Sequence, residues 1–496
     1  MINRALLQVL LLAGIGVNIA FLLINLRPDR PHLARKKHVK VLLRASDPRA
    51  KWMMQNELSE FAAAHDLDVQ LVLAKDFDEV HDKLSEESKH PSGMLLADID
   101  DEWSDDLRSE KAIRPIEDGA EKDEAPAALD EYLPEGISRA RQDGKIWFLP
   151  KRAQVDVIAF LKPAVEDAFL KWEKYRKDIE LALKEANGHG LPKGYELERN
   201  PESWDSYDIF VAAWTWAHEP APWAEPVAAN VPIGARMPPA TVRPRLAFRT
   251  GRGEDAVRDL VSAFYRQSAK PPDLKDPLSP AVLDYLQWRA LWKKHHLLAP
   301  ECESKDGIES FGVNQLLHDR KVAYAPVNQP DAFWVHGGAR RDADPGMRGP
   351  SDLTFAPEPV GASLEIDPKT GQPARQGRTF SFEEVHLWAV PVHSPDVALS
   401  WQLARFLTQR GLQLRETEAE GMLPIRKDLR TSYQVAFRVD WMQQVLHASY
   451  VQIFRGSGDL PSDLDAYEDK ILAERDRVLA QPAVTLEAIR EAARGQ

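Results

Sequence analysis

Residues 143–160 read DGKIWFLPKRAQVDVIAF. Two apolar runs, Ile146–Leu149 and Val155–Phe160, flank Pro150-Lys151-Arg152. Runs this short, rich in branched and aromatic residues, predict strands. The break between them holds no Gly-containing two-residue turn of the kind that closes a hairpin. Two cations between two apolar runs therefore need a reason.

Upstream, VKVLL (39–43) predicts a strand, and KWMMQNELSEFAAAH (51–65) has helical spacing with Met54, Leu58, Phe61 and Ala62 on one face. LDVQLVL (67–73) alternates like a strand, 77–85 suits a helix, and GMLLA (93–97) a buried strand. Strand, helix, strand, helix, strand implies a parallel sheet with crossover helices, whose ligands sit beyond the carboxyl ends of the strands. Those ends are Arg44-Ala45-Ser46-Asp47 and Asp98-Ile99-Asp100-Asp101. Downstream, 117–131 and the proline-rich 219–245 predict surface loops, and 336–380 is loop-rich. Helices are expected over 164–186, 204–217, 254–268, 280–297, 397–409 and most of the chain beyond 439; strands are expected over 322–327 and 385–392.

At 496 residues the chain has room for two to four domains or lobes, and 44% apolar with 28% charged residues is ordinary for a folded protein. With 14 Trp and 17 Phe it is not a disordered chain. The net charge is -13, although residues 1–37 hold six basic residues against Asp29 alone. The acidic body would be repelled by phosphate backbones, so nucleic acid is not an expected partner. Cys302 is the only cysteine, which excludes an intramolecular disulfide and a thiolate zinc cluster. Ala5–Leu26 is uncharged and mostly apolar, the length a membrane-spanning helix needs, and no A-x-A-like cleavage site precedes Arg27. It reads as a retained anchor, against the alternative of a cleavable signal. Taken alone, the basic flank after the span places the body in the cytoplasm.

Searched for chemistry, the sequence has no H-E-x-x-H and no G-x-S-x-G, and Thr250-Gly-Arg-Gly-Glu lacks the spacing of a phosphate loop. No cofactor is expected. Asp98-Ile99-Asp100 after a strand has the D-x-D form that can hold a divalent ion; a solvated acidic loop is the alternative. Trp52, Trp103, Trp147, Trp223, Trp334 and Trp388 fall at loop or strand ends, where flat rings pack against sugar C–H faces; core packing is the alternative for each.

The order of segments resembles the extracellular solute-binding proteins of ABC importers, family 1, which includes sugar binders. VKVLL, ELSEFAAAHDLDVQLV and SGMLLADIDDEW resemble its opening strand, helix and end-of-strand Asp. DGKIWFLPKRAQVDVIAFLKPAVEDA resembles its "GKIYGLP…VLYYNKDLFE" segment, PESWDSYDIF its "P-x-T-W-D-E" helix start, and LLHDRKVAYAPVNQPDAFW its "F-x-x-GKVAM…GPW" segment. HLWAVPVHSPDVALSWQLARFLTQRGLQLRETEAEGMLPIRKDL follows its strand, "A-W-x-F-x-x-F-L" helix and "G-x-LP-x-R-x-D" turn. The likeness runs from about residue 38 to 496. One departure is Asn328-Gln329-Pro330-Asp331, where sugar binders often carry an aromatic after Gly-Pro; here Phe333 and Trp334 come later.

The resemblance implies an α/β, two-lobe periplasmic-binding-protein-like (Venus-flytrap) fold behind an N-terminal transmembrane helix: 1–37 as anchor and basic linker, 38–151 with 380–421 as lobe 1, and 152–379 with 422–496 as lobe 2. It implies a body on the extracytoplasmic, periplasmic side of the cell membrane. There the protein would capture a small polar solute, carbohydrate favoured, and deliver it to an ABC permease without chemistry of its own. Ser46, Asp47, Asp100, Trp103, Arg152, Trp223, Asp331, Trp334 and Trp388 are the expected ligand contacts. Pro150-Lys151-Arg152 becomes the first crossing between lobes, with an exposed basic turn as its alternative. The rival functions are a cytoplasm-facing, membrane-anchored glycosyltransferase using Asp98 and Asp100 with a metal, and a sensory binding module without transport.

Overall fold

The computed structural model describes residues 36–494 apart from 46, 221–244, 277, 305, 336–351, 437–439, 459–460, 462–463, 465–466 and 483. The expected anchor at 5–26 and residues 221–244 of the expected loop at 219–245 lie outside the described residues. No helix among the described residues is long and apolar enough to cross a membrane.

Strand β1 (Lys37–Arg44) buries Val39, Val41, Leu42 and Leu43. It pairs in parallel with β2 (Leu67–Ala74) on one side and β3 (Met94–Asp100) on the other. The links are helical, as parallel strands require. The helix Asp47–Met53 continues through a wider turn, Met54–Leu58, into Ser59–Ala64, and the helix Phe77–Lys89 starts on the Asp76 side chain, which accepts from the Glu79 amide. The first three strands and their crossovers are thus as expected. One end differs: β3 runs on through Asp98-Ile99-Asp100, so the two aspartates sit within a buried strand and not in a loop after it.

The 143–160 stretch is not two strands. A short hairpin, Arg141–Gln142 with Lys145–Ile146, precedes a single strand β4 (Phe148–Leu161) that passes straight through Pro-Lys-Arg. Its first part, to Val155, pairs antiparallel with β7 (Ser381–Pro391). Its second part pairs antiparallel with β5 (Val322–Asn328) and β6 (Leu353–Ala356). Strand β7 in turn pairs antiparallel with β3. The sheet order is β2-β1-β3-β7-β4-β5, with the short strand Arg245–Leu246 beyond β5. Two long neighbouring strands therefore join a parallel half-sheet to an antiparallel one. A third segment meets them where the helix Arg410–Glu420 ends at Gly421, in a left-handed conformation (φ 75°) and so close to Phe333 that a Cβ would lie 2.5 Å from its ring. Leu423 then bridges Ala153 at the middle of β4.

The acidic stretch 117–131 is not a loop. It holds the helix Glu124–Leu129, which buries Ala125, Ala128 and Leu129, an i, i+3, i+4 face hidden among acids. The expected helix at 164–186 is two, Lys162–Lys171 and Arg176–Asn187, separated by the tighter turn Trp172–Tyr175.

Candidate functional site

The ladder between β4 and β7 slips by one residue. His386 stands opposite Arg152, and Leu387 opposite Pro150, so Lys151 is the extra residue of a β-bulge. In a regular strand neighbouring side chains point to opposite faces. Here both cations reach one acid: Glu416 Oε1 lies 3.1 Å from Arg152 Nη1 and 3.9 Å from Lys151 Nζ. Lys151 Nζ also donates to Asp98 Oδ2 at 2.6 Å and stands 4.7 Å over the Trp388 ring. Both cations are buried. The bulge is the reason that two cations fit between apolar runs, and the exposed basic turn is excluded.

Charge balance decides the protonation of this cluster. Burial pushes the Asp98 carboxyl up, but Lys151, His386 and Arg152 outweigh it and hold it well below the carboxylate range. Lys151 itself is lowered, by burial first and by Arg152 second, with Asp98 and Glu416 opposing. Glu416 is likewise exposed to an upward push from burial, outweighed by Lys151, Arg49 and Arg152. Glu57 is pushed up to about 7, by burial and then by Glu416. Arg49 Nη2 donates to Glu416 at 2.7 Å and stands 4.0 Å from Glu57.

Beyond the bulge, β4 alternates regularly. Gln154 and Asp156 are the only residues of β4 that are not fully buried. They share a face with Arg152. Glu384 stands opposite Gln154, and the row Asp100–His386–Arg152 crosses three strands. The result is a polar stripe along the middle of the two long strands, Arg152-x-Gln154-x-Asp156 beside Glu384-x-His386. Arg249 closes one end, its guanidinium bidentate on Asp156 at 2.9 and 3.0 Å. Burial raises the Asp156 carboxyl and Arg249 more than reverses it, leaving it lowered. Arg258, from the helix Glu254–Arg266, reaches Glu384 Oε2 at 3.3 Å. Asp100 is raised well above its usual value by burial and by the charges of Glu384 and Asp101. Glu384 is lowered, because His386 and Arg258 outweigh its burial. The two carboxyls are thus pushed in opposite directions.

Of the expected contacts, Asp100, Arg152 and Trp388 come together here. Trp388 is only 1% exposed, so its ring packs in the core beneath Lys151. Trp103 lies just past β3, half-buried, its ring 4.6 Å from His81. Asp331 sits apart in the helix Gln329–Val335 and accepts from Asn314 at 2.8 Å. Asp47 begins a helix. Ser46 and Trp223 lie outside the described residues, as do the side chains of Asp47 and Trp334. The D-x-D pair does not act together on one ion: Asp98 is committed to Lys151, while Asp100 faces Glu384 and His386. Sequence reasoning missed Gln154, Asp156, Arg249, Arg258, Glu384, His386 and Glu416. Polar residues at period two inside apolar strands were the available signal for four of them: Gln154, Asp156, Glu384 and His386.

No family model matches the sequence, and no curated protein matches it. Solved structures match at the level of fold. The maltose-bound MalE3 of T. maritima is 15% identical, with a TM-score of 0.60 over 92% of this chain and 98% of that one. The GacH receptor of Streptomyces glaucescens, determined unliganded and with acarbose, is 16% identical, with a TM-score of 0.58 over 92% and 96%. An ABC transporter solute-binding protein from Thermotoga lettingae bound with alpha-D-tagatose is 16% identical, with a TM-score of 0.57 over 92% and 98%. The chain has the mixed α/β fold of these sugar-binding proteins.

Proposed function

We propose that this protein is a solute-binding protein that captures a small polar solute, carbohydrate first, and passes it to an ABC permease. The observation that carries the reading is the polar stripe at the middle of β4 and β7, the two strands shared by both halves of the sheet. Lobes hinged on such strands, 38–151 with 380–421 and 152–379 with 422–496, close when a solute binds the closed form better than the open one. Gln154 offers an amide that both donates and accepts, and Asp156 a carboxylate, for hydroxyl groups; Trp103 offers a ring. Fold likeness to proteins whose solved complexes hold maltose, acarbose and tagatose supports the carbohydrate.

Calorimetric titration with maltose, maltotetraose, acarbose and tagatose tests it. At least one is expected to bind, and Gln154→Leu to weaken it by about tenfold or more. Failure of all four to bind the folded protein sinks the carbohydrate reading.

In this proposal the segment 5–26 anchors the protein with its body outside the cytoplasm. The basic flank at Arg27–Lys37 opposes that orientation, whereas the need to meet a permease favours it. An alkaline phosphatase fused after Gln496 is expected to be active in intact cells. An inactive fusion that is stably made places the body inside.

A further inference from the structure

We infer that Arg289 and Arg475 hold a small monovalent anion, chloride in the first place, at a buried site away from the polar stripe. Arg289 lies in the middle of the helix Pro280–Lys294 and is only 3% exposed. Its guanidinium stands 4.8 Å over the Phe248 ring, which stacks on Trp292. Nε and Nη1 are buried without a hydrogen-bond partner, and no carboxylate among the described residues pairs with this side chain. A carboxyl or a lysine in such a place can give up its charge, but a guanidinium cannot. A buried charge left unpaired is strongly destabilising, and a ring face offsets only part of that cost, so Arg289 calls for a counter-ion.

A second guanidinium reaches the same segment. Arg475, on the helix Glu468–Leu479, donates from Nη1 to the Gly251 carbonyl at 3.1 Å, a short way along the chain from Phe248. That helix packs against Pro280–Lys294, and Arg475 is itself buried. Arg475 is lowered, by burial first, with Asp476 opposing and the charge of Arg289 adding to the push. Asp476 is divided between two partners: Oδ1 takes Arg475 and Oδ2 takes Arg252. Arg252 is exposed, so water serves it as well. The two buried guanidinium groups share one carboxylate and are one negative charge short. That balance fits a monovalent anion. A phosphate or sulfate would bring a second negative charge against the apolar wall of Phe248 and Trp292 with nothing to balance it. The site does not depend on which solute the stripe accepts.

The test is urea unfolding of the full chain in sodium chloride against sodium gluconate at equal ionic strength, gluconate being too bulky for an enclosed site. Chloride is expected to raise the folding equilibrium constant about 100-fold, as a ligand at about 100 times its Kd does. Arg289→Met should abolish that dependence. In gluconate the variant should be at least as stable as wild type, because it removes an unpaired buried charge. Arg199→Gln, in an exposed ion pair, should keep the full chloride response. A wild-type chain indifferent to chloride overturns the proposal, as does a full chloride response in Arg289→Met. Should that variant not fold, anomalous scattering from wild-type crystals grown in bromide decides. A bromide within hydrogen-bonding reach of Arg289 supports the site, and none there overturns it.

Discussion

Replacing Lys151 with methionine is expected to destabilise the protein by about 3–5 kcal/mol, the cost of removing one partner from a buried ion pair. Methionine keeps the length and apolar stem of the lysine, so packing against Trp388 changes little. What is lost is the ammonium. Asp98, 1% exposed, would keep only His386 at 3.7 Å and the more distant Arg152. Glu416 fares better, since Arg49 and Arg152 both donate to it. The cost therefore resides on Asp98, and the double variant Lys151→Met with Asp98→Asn should recover most of it. Urea unfolding reads this as a lower midpoint at unchanged slope for the single variant. A single variant within about 1 kcal/mol of wild type contradicts a charged Asp98.

Arg249→Met is expected to cost a similar amount, about 3–5 kcal/mol near pH 7, and here the loss should depend on pH. In the wild type the folded Asp156 carboxyl is lowered below 3.8, so the pair stabilises the fold above that pH and the contribution disappears as pH falls through the folded value. Without Arg249, burial raises Asp156 against only the weaker pulls of Arg258 and Arg266. The folded variant then binds a proton that the unfolded chain releases above about pH 3.8, so its stability falls as pH rises. The gap between the two proteins should widen from pH 4 to pH 8. A gap independent of pH would show that the arginine acts through packing alone.

Much of the fold was legible because it depends on local patterns. The alternation in LDVQLVL and the helical spacing in 51–65 predicted the parallel opening unit that the structure contains. The helix Glu124–Leu129 was not legible because its apolar face is one turn long and surrounded by acids and prolines. Part of the site was legible too. Arg152 and Asp100 were picked out by strand-end position together with the family resemblance, although both in fact lie within strands. Trp388 was picked out on the same ground but is a core residue: it belongs to a strand buried along its whole length, so a strand end seen in sequence was no rim.

The sequence by itself determined that apolar strands carry polar residues at every second position, Arg152, Gln154, Asp156 and Glu384, His386. That choice of face follows from the pleat and needs no other part of the chain. Only the tertiary structure decided which charge meets which. Lys151 meets Asp98 across 53 residues, and Arg152 meets Glu416 across 264. The bulge that turns both cations to one side arises from the register of β7 against β4, and register is a property of the pair. Neither strand carries it alone, which is why Pro150-Lys151-Arg152 looked like a break and is the point where two strands settle their alignment.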